Sequence, residues 1–140
     1  MSIYDYEQAF GQWDKTSPAM RKAIERWFAM YYDAENSQAS DPCQRIPYTI
    51  VNKLVKAVFG EYRATAETPF GQQILKELDT KKRLAMQLAL VGGACYIKPC
   101  PGKAGFSFTL VPRNRVLIFG TDGEGRPTDM GLVEKSVAGN

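Results

Sequence analysis

The sequence predicts an α+β domain, with three to four N-terminal helices followed by a small antiparallel β-meander. Two observations carry this. Apolar residues recur every three or four positions from Met20 to about Val91, whereas from Cys95 onward they alternate with polar ones. The switch falls at Gly92-Gly93, and every helix-like segment precedes every strand-like one, which is the order of an α+β chain rather than an alternating α/β chain. At 140 residues, with 44% hydrophobic and 24% charged residues, the chain is about one domain long and ordinary in composition, so disordered and collagen-like classes are excluded.

Residues 1–17 read as an irregular or weakly helical lead-in, because Tyr4, Tyr6, Phe10 and Trp13 follow no period. Residues 18–137 read as a single α+β domain, helical over 18–92 and β-rich over 93–135. Ser17-Pro18 is a capping hydroxyl followed by proline at the first helical position. Met20, Ile24, Trp27, Phe28 and Tyr31 then form an apolar stripe on a helix that runs to about Asp33. The polar stretch 34–45, with Asp41-Pro42, is a loop.

Pro47 or Thr49 opens the clearest helix, which runs to Tyr62. Its stripe of Ile50, Val51, Leu54, Val55, Val58, Phe59 and Tyr62 is wide enough that it must face a core or a partner. Gly60 weakens this helix without having to end it. Thr68-Pro69 repeats the cap-plus-proline signal for a helix through Phe70, Ile74, Leu75 and Leu78. A break at Asp79-Thr80 would make four helices, continuity three. Gly92 or Gly93 ends the helical part. The linker around Ala64–Glu67 is short, so the two flanking helices are expected to pack antiparallel with Leu54 in their core, where Leu54→Ala would cost about 2–5 kcal/mol.

Cys95 and Ile97 alternate with Tyr96 and Lys98, Pro101 to Gly105 is turn chemistry, and Phe106, Phe108 and Leu110 alternate with Ser107 and Thr109. Val116 to Phe119 is a short apolar strand, Thr121 to Pro127 a turn, and Thr128 to Glu134 a last strand. That strand has no evident partner after it, which predicts a piece of a longer protein.

The composition narrows the chemistry. There is no histidine, the commonest general base and transition-metal ligand. Cys43, Cys95 and Cys100 contain no C-x-x-C pair and fit neither a zinc site nor a redox motif, so reduced structural thiols are expected. Five residues of extended chain hold Cys95 and Cys100 about 16 Å apart, too far for a disulfide. Asp122-Gly123-Glu124-Gly125 lacks the spaced oxygen ligands of a calcium loop and reads as a hairpin turn. Gly92-Gly93 follows a helix instead of preceding one, so it is a cap and not a phosphate loop. Neither Gly-x-Ser-x-Gly nor Ser-x-x-Lys occurs, and Lys81-Lys82-Arg83 reads as a solvated helix face. The sequence therefore assigns no catalytic, cofactor-binding or metal-binding residue and predicts no enzyme.

Net charge is +3, with 8 basic and 9 acidic residues in 1–70 against 10 and 6 in 71–140. That asymmetry leaves one alternative function open, a small nucleic-acid-binding domain using the basic C-terminal half. The most apolar stretch, Leu84 to Ile97, is too short to span a bilayer. The acidic start, Met1 to Glu7, is no signal peptide. A soluble, intracellular chain without membrane contact is expected.

Three segments in order carry a resemblance: Ile46-Pro-Tyr-Thr-Ile-Val-Asn-Lys-Leu-Val-Lys-Ala-Val-Phe-Gly-Glu, then Ala85-Met-Gln-Leu-Ala-Leu-Val-Gly-Gly-Ala-Cys-Tyr-Ile-Lys-Pro, then Phe106-Ser-Phe-Thr-Leu-Val-Pro-Arg-Asn-Arg-Val-Leu-Ile-Phe. Together they resemble the N-terminal part of tailed-phage portal (minor capsid) proteins, most closely those of siphophages and of prophages in Gram-positive bacteria. In that family a long helix is followed by a second one that closes on Gly-Gly into a strand, and then by a hairpin and a "dg-G" turn. Arg113 to Ile118 departs from the acidic, proline-containing form usual at that point. The similarity spans roughly residues 18–135 and well under half of a typical portal, because the stem, clip and crown regions lie outside it.

The resemblance implies a structural virion protein, part of the outer wing of a usually dodecameric ring. The ring sits at one capsid vertex, and DNA is packaged and ejected through it. Implied partners are other portal subunits, terminase, capsid and head-completion proteins. Double-stranded DNA would pass through the full ring, without direct contact by this part. The implied location is the virion, and the bacterial host cytoplasm during assembly.

Overall fold

A computed structural model describes residues 10–32, 46–102 and 105–134; the predicted loop 34–45 and Cys43 lie outside the described residues. Helix α1 (Pro18–Tyr32) starts at Ser17, whose Oγ accepts the Met20 N–H at 3.2 Å. Ile24, Phe28 and Tyr31 of its stripe are buried, while Met20 and Trp27 stay exposed. Helix α2 (Ile46–Phe59) ends three residues short of the expected Tyr62. Gly60 does end it: glycine costs about 1 kcal/mol relative to alanine inside a helix. Tyr62 instead turns back edge-on to Phe59, 5.5 Å between ring centroids.

Helix α3 (Pro69–Gly92) is capped by Thr68, whose hydroxyl accepts the Gly71 N–H at 3.0 Å. It passes Asp79-Thr80 without a break, the Thr80 hydroxyl being satisfied by donating back to the Glu77 carbonyl at 2.7 Å. Among the described residues the span 18–92 therefore holds three helices. Gly93, at φ 84°, closes α3 in the left-handed region and donates its N–H to the Ala89 carbonyl. Gly92 is needed for a different reason. A Cβ there would lie 2.6 Å from Cε2 of Phe28, so its absence lets α1 approach α3.

Strands β1 (Cys95–Gly102) and β2 (Gly105–Pro112) form an antiparallel hairpin registered from Cys95↔Pro112 to Gly102↔Gly105. Pro101, Gly102 and Gly105 of the expected turn at 101–105 are thus paired in the ladder, and residues 103 and 104 lie outside the described residues. A 3-10 turn, Arg113–Arg115, leads into β3 (Val116–Thr121), which pairs with β4 (Pro127–Leu132) across an irregularity near Phe119. The fold class is α+β, but β2 and β3 do not hydrogen-bond to each other. Two separate hairpins replace the expected continuous meander. Pro112 lacks an N–H to extend the ladder, and the 3-10 turn is fixed by Arg113 Nη1 donating to the Val116 carbonyl at 2.8 Å.

The core lies between α1 and α3. Ile24, Phe28, Tyr31, Leu88 and Val91 form its centre, and Val51, Cys95 and Leu110 pack against it. Helix α3 is the hub, touching α1, α2, both strands of the first hairpin and the 3-10 turn. Leu54, expected in the α2–α3 core, is 47% exposed; Val55 takes that place at 3%. The expected stripe is in fact two adjacent ridges, and α3 covers only one of them.

Residues 10–17 form a fixed strap. The Asp14 side chain is 2% exposed; its Oδ1 accepts the N–H groups of Thr16 and Ile118, each at 2.9 Å, and its Oδ2 takes the Arg21 guanidinium. Lys15 N–H donates to the Ile118 carbonyl at 2.7 Å, and Arg113 Nη2 donates to Thr16 Oγ1 at 2.6 Å. Burial pushes the Asp14 carboxyl upward, but these hydrogen bonds and the Arg21 charge outweigh it and hold the group below its usual 3.8.

Candidate interaction surface

Ile46, Ile50, Leu54 and Val58 stand four residues apart along α2, so they form one continuous ridge, each residue about half exposed at 47–53%. The neighbouring ridge of Val51, Val55 and Phe59 faces inward. Where the outer ridge meets α1 and the end of α3, a groove of about 310 Å³ is lined by Trp27, Met30, Tyr31, Ile46, Ile50 and Leu90, among other apolar residues. Tyr31 forms part of its wall, 5.6 Å from Tyr48 and 5.2 Å from Tyr32 between ring centroids. Burial, with its tyrosine neighbours, raises the Tyr31 phenol above 10, so the wall stays neutral.

The helices around the groove carry mostly positive charge. Helix α2 has Lys53 and Lys56 and no carboxylate, and α3 has none from Lys81 to its end. Arg26, Lys53, Lys56 and Arg83 are all exposed. The carboxylate of α1, Glu25, lines the small cavity beside Asp14 instead.

A second apolar patch lies on the strap. Trp13 is 58% exposed and stacks edge-on to Phe10 at 5.4 Å, and Phe10 leans on Phe119 of β3 at 6.5 Å. The hairpin β3–β4 bears Asp122, Glu124 and Asp129 against one cation, Arg126, which pairs with Glu124 at 2.6 Å. Asp122 closes the turn, its Oδ1 accepting the Glu124 and Arg126 N–H groups at 2.9 and 2.8 Å. Gly125 sits there at φ 78°.

A third feature is a cleft of about 330 Å³ between the hairpins, lined by Lys98, Cys100, Thr109, Arg115 and Glu134 among others. Both Glu134 carboxylate oxygens accept Lys98 Nζ at 2.9 Å, and that hydrogen bond raises the Lys98 ammonium above 10.5. The pair is open to solvent and contributes little to stability. Cys95 and Cys100 are free thiols on opposite faces of β1, since they differ by an odd number of residues. Burial pushes the Cys95 thiol above 9.0. Among the described residues no group of three or more His, Cys, Asp or Glu is placed to hold a metal ion, and no helix is long and apolar enough to cross a membrane.

The basic run differs from the solvated face expected of it. Lys81 donates to the Phe108 carbonyl on β2. Lys82 lies 4.4 Å from the Tyr62 ring centroid and 5.6 Å from that of Phe59, and it pairs with Asp79 at 2.6 Å. Only Arg83 is an exposed cation of the expected kind. Sequence reading missed the division of the α2 stripe, although the i, i+4 row from Ile46 to Val58 was the available signal. It also missed the Asp14 strap, for which no local signal exists. No family model, curated protein or solved structure matches the chain.

Proposed function

We propose that this chain is the wing part of a tailed-phage portal protein, a structural component that works through contacts with neighbouring subunits. The ordered resemblance of three segments carries this reading. Those segments fall on consecutive elements: α2, the end of α3 into β1, and β2 through the 3-10 turn into β3. The exposed apolar ridge and groove suit an assembly component, since surface patches of this kind mark protein contacts. Terminase, capsid and head-completion proteins are the further partners this reading implies.

The competing nucleic-acid reading relies on cations of the C-terminal half. Lys81 and Arg113 of that half donate to backbone carbonyls inside the fold, which favours the assembly reading, while Lys98 and Arg126 form solvent-exposed pairs with Glu134 and Glu124. Two measurements test the proposal. Quantitative peptide mass spectrometry of phage particles induced from the source cells should find this sequence at about a dozen copies per head, the ring size that the resemblance implies for a closed assembly; its absence from particles overturns the reading. Titrating duplex DNA at rising salt should show weak binding, whereas tight binding that falls steeply with salt would favour the alternative.

A further inference from the structure

We propose that the cleft between the two hairpins is a binding site for a small aliphatic carboxylate, anchored on the Arg115 guanidinium with the Thr109 hydroxyl beside it. The inference is separate from the assembly reading. Arg113 to Ile118 is where the chain departs from the form usual in the family it resembles, so nothing about the site is borrowed from that family.

The fold fixes both walls. Lys98 and Thr109 are register partners in the first hairpin, so their side chains share one of its faces, and Val111 stands two residues along on the same face. Opposite them, the Val133 N–H donates to the Arg115 carbonyl at 2.9 Å and holds these two residues together at the end of the second hairpin. The space between, about 330 Å³, falls at the small end of the roughly 300–1,000 Å³ typical of small-molecule sites.

The chemistry of the lining selects the ligand. Of the two arginines in the 3-10 turn, Arg113 is spent inside the fold on the Val116 carbonyl and the Thr16 hydroxyl. Arg115 lines the cleft, and among the described residues its guanidinium meets no acceptor. Its planar N–H fork matches the two oxygens of a carboxylate. The chain already supplies one such group, since both Glu134 oxygens accept Lys98 Nζ at 2.9 Å. One cation of the cleft thus holds a carboxylate and the other is free, which leaves room for a single negative charge. Val111 and Val133 add an apolar wall that a bare inorganic anion does not use, and this favours an organic acid with a short aliphatic body. A nucleic-acid backbone is a poor occupant, because it needs a track of cations and finds one. The carboxylate comes either from a free short-chain acid or from the C-terminal residue of another polypeptide; both present the same group.

Titration of the isotope-labelled full chain, followed by NMR at low salt, tests this with isovalerate, N-acetyl-alanyl-valine, the carboxamide of that dipeptide, and inorganic phosphate. Isovalerate, the dipeptide acid or both should shift the Thr109 and Arg115 signals, with half-saturation at about 1 mM. Isovalerate alone identifies a free acid, the dipeptide alone a polypeptide C-terminus. The carboxamide and phosphate should bind about tenfold more weakly or not at all. Arg115→Gln should lose about tenfold or more in affinity, and Arg115→Lys should fall in between, because it keeps the charge without the fork. Glu134→Gln frees Lys98 and should tighten binding several-fold. Arg126→Gln, at the hairpin tip, should change nothing. All three positions are exposed, so circular dichroism spectra and melting points should match the wild type.

No saturation by either acid up to about 10 mM, equal binding of acid and carboxamide, or phosphate binding as tight as the acids would each overturn the inference. So would an Arg115→Gln chain that binds like the wild type, a Glu134→Gln chain that binds more weakly, or a loss in Arg126→Gln equal to that in Arg115→Gln. Neither particles nor duplex DNA enter these measurements, so a failure here remains distinguishable from a failure of the portal reading.

Discussion

Helices α1 and α2 are nearly equal in length, 15 and 14 residues, and both carry apolar stripes, yet they use them in opposite ways. Helix α1 buries Ile24, Phe28 and Tyr31, whereas α2, the more apolar of the two, buries only Val55. The difference is one of neighbours. Helix α1 lies against Gly92 of α3, where a missing side chain lets Phe28 sit on the backbone. Helix α2 touches α3 along a single ridge and leaves the other in solvent. An amphipathic helix thus reports how much surface must be covered, and the surplus over what its own fold covers marks a place for a partner.

The comparison can be broken most forcefully at Phe28. Phe28→Ala should cost about 3–5 kcal/mol, because it opens a cavity where α1 meets α3; denaturant unfolding measures it. A loss comparable to that of a surface substitution would mean that α1 is no better anchored than α2.

Asp14 supplies the next largest effect. Asp14→Ala removes a carboxylate that accepts two backbone N–H groups, so a loss of about 2–3 kcal/mol is expected near neutral pH. The folded value lies below the unfolded 3.8. Its contribution is therefore fully present above pH 3.8 and fades as pH falls through the lower folded value. Stability measured against pH should show an acid limb in the wild type that is flatter in Asp14→Asn. Equal acid limbs in the two proteins would remove Asp14 from the account.

Gly92→Ala tests the close approach itself. Crowding of Phe28 costs roughly 1–3 kcal/mol, and better helix propensity offsets up to about 1 kcal/mol of that. A net loss of about 1 kcal/mol in a thermal melt is the expected outcome, and a gain would show that α1 can shift freely. The smallest effect sharpens the contrast. Leu54→Ala should change stability by less than about 0.5 kcal/mol, far below the 2–5 kcal/mol of a core site. A core-sized loss would place the outer ridge of α2 inside the molecule.

Much of the architecture was legible because it is written locally. Thr68-Pro69 and Gly93 mark the ends of α3 through their own hydroxyl, ring and backbone freedom, and the change of period at Gly93 separates helices from strands. What the sequence concealed depends on distant residues. Leu54 and Val55 are indistinguishable by composition, and only the position of α3 decides which one is buried. Asp14 looks like any pre-helical aspartate until Ile118 arrives beside it. The division into two hairpins is partly local, in Pro112, but β3 is also held at Ile118 by hydrogen bonds from the distant strap. The candidate interaction surface was visible only as a stripe too wide for one neighbour.

The bond from Ile118 to Asp14 joins residues 104 positions apart, and this gives the molecule a clock during synthesis. A ribosome adding about 5–20 residues per second leaves roughly 5–20 seconds between the appearance of Asp14 and that of Ile118. Over that interval the aspartate can cap only its local partners, while α1, α2 and α3 are made in turn. Nascent chains arrested before β3 should therefore leave the Phe10–Trp13 segment open to protease, and chains released with β3 complete should protect it.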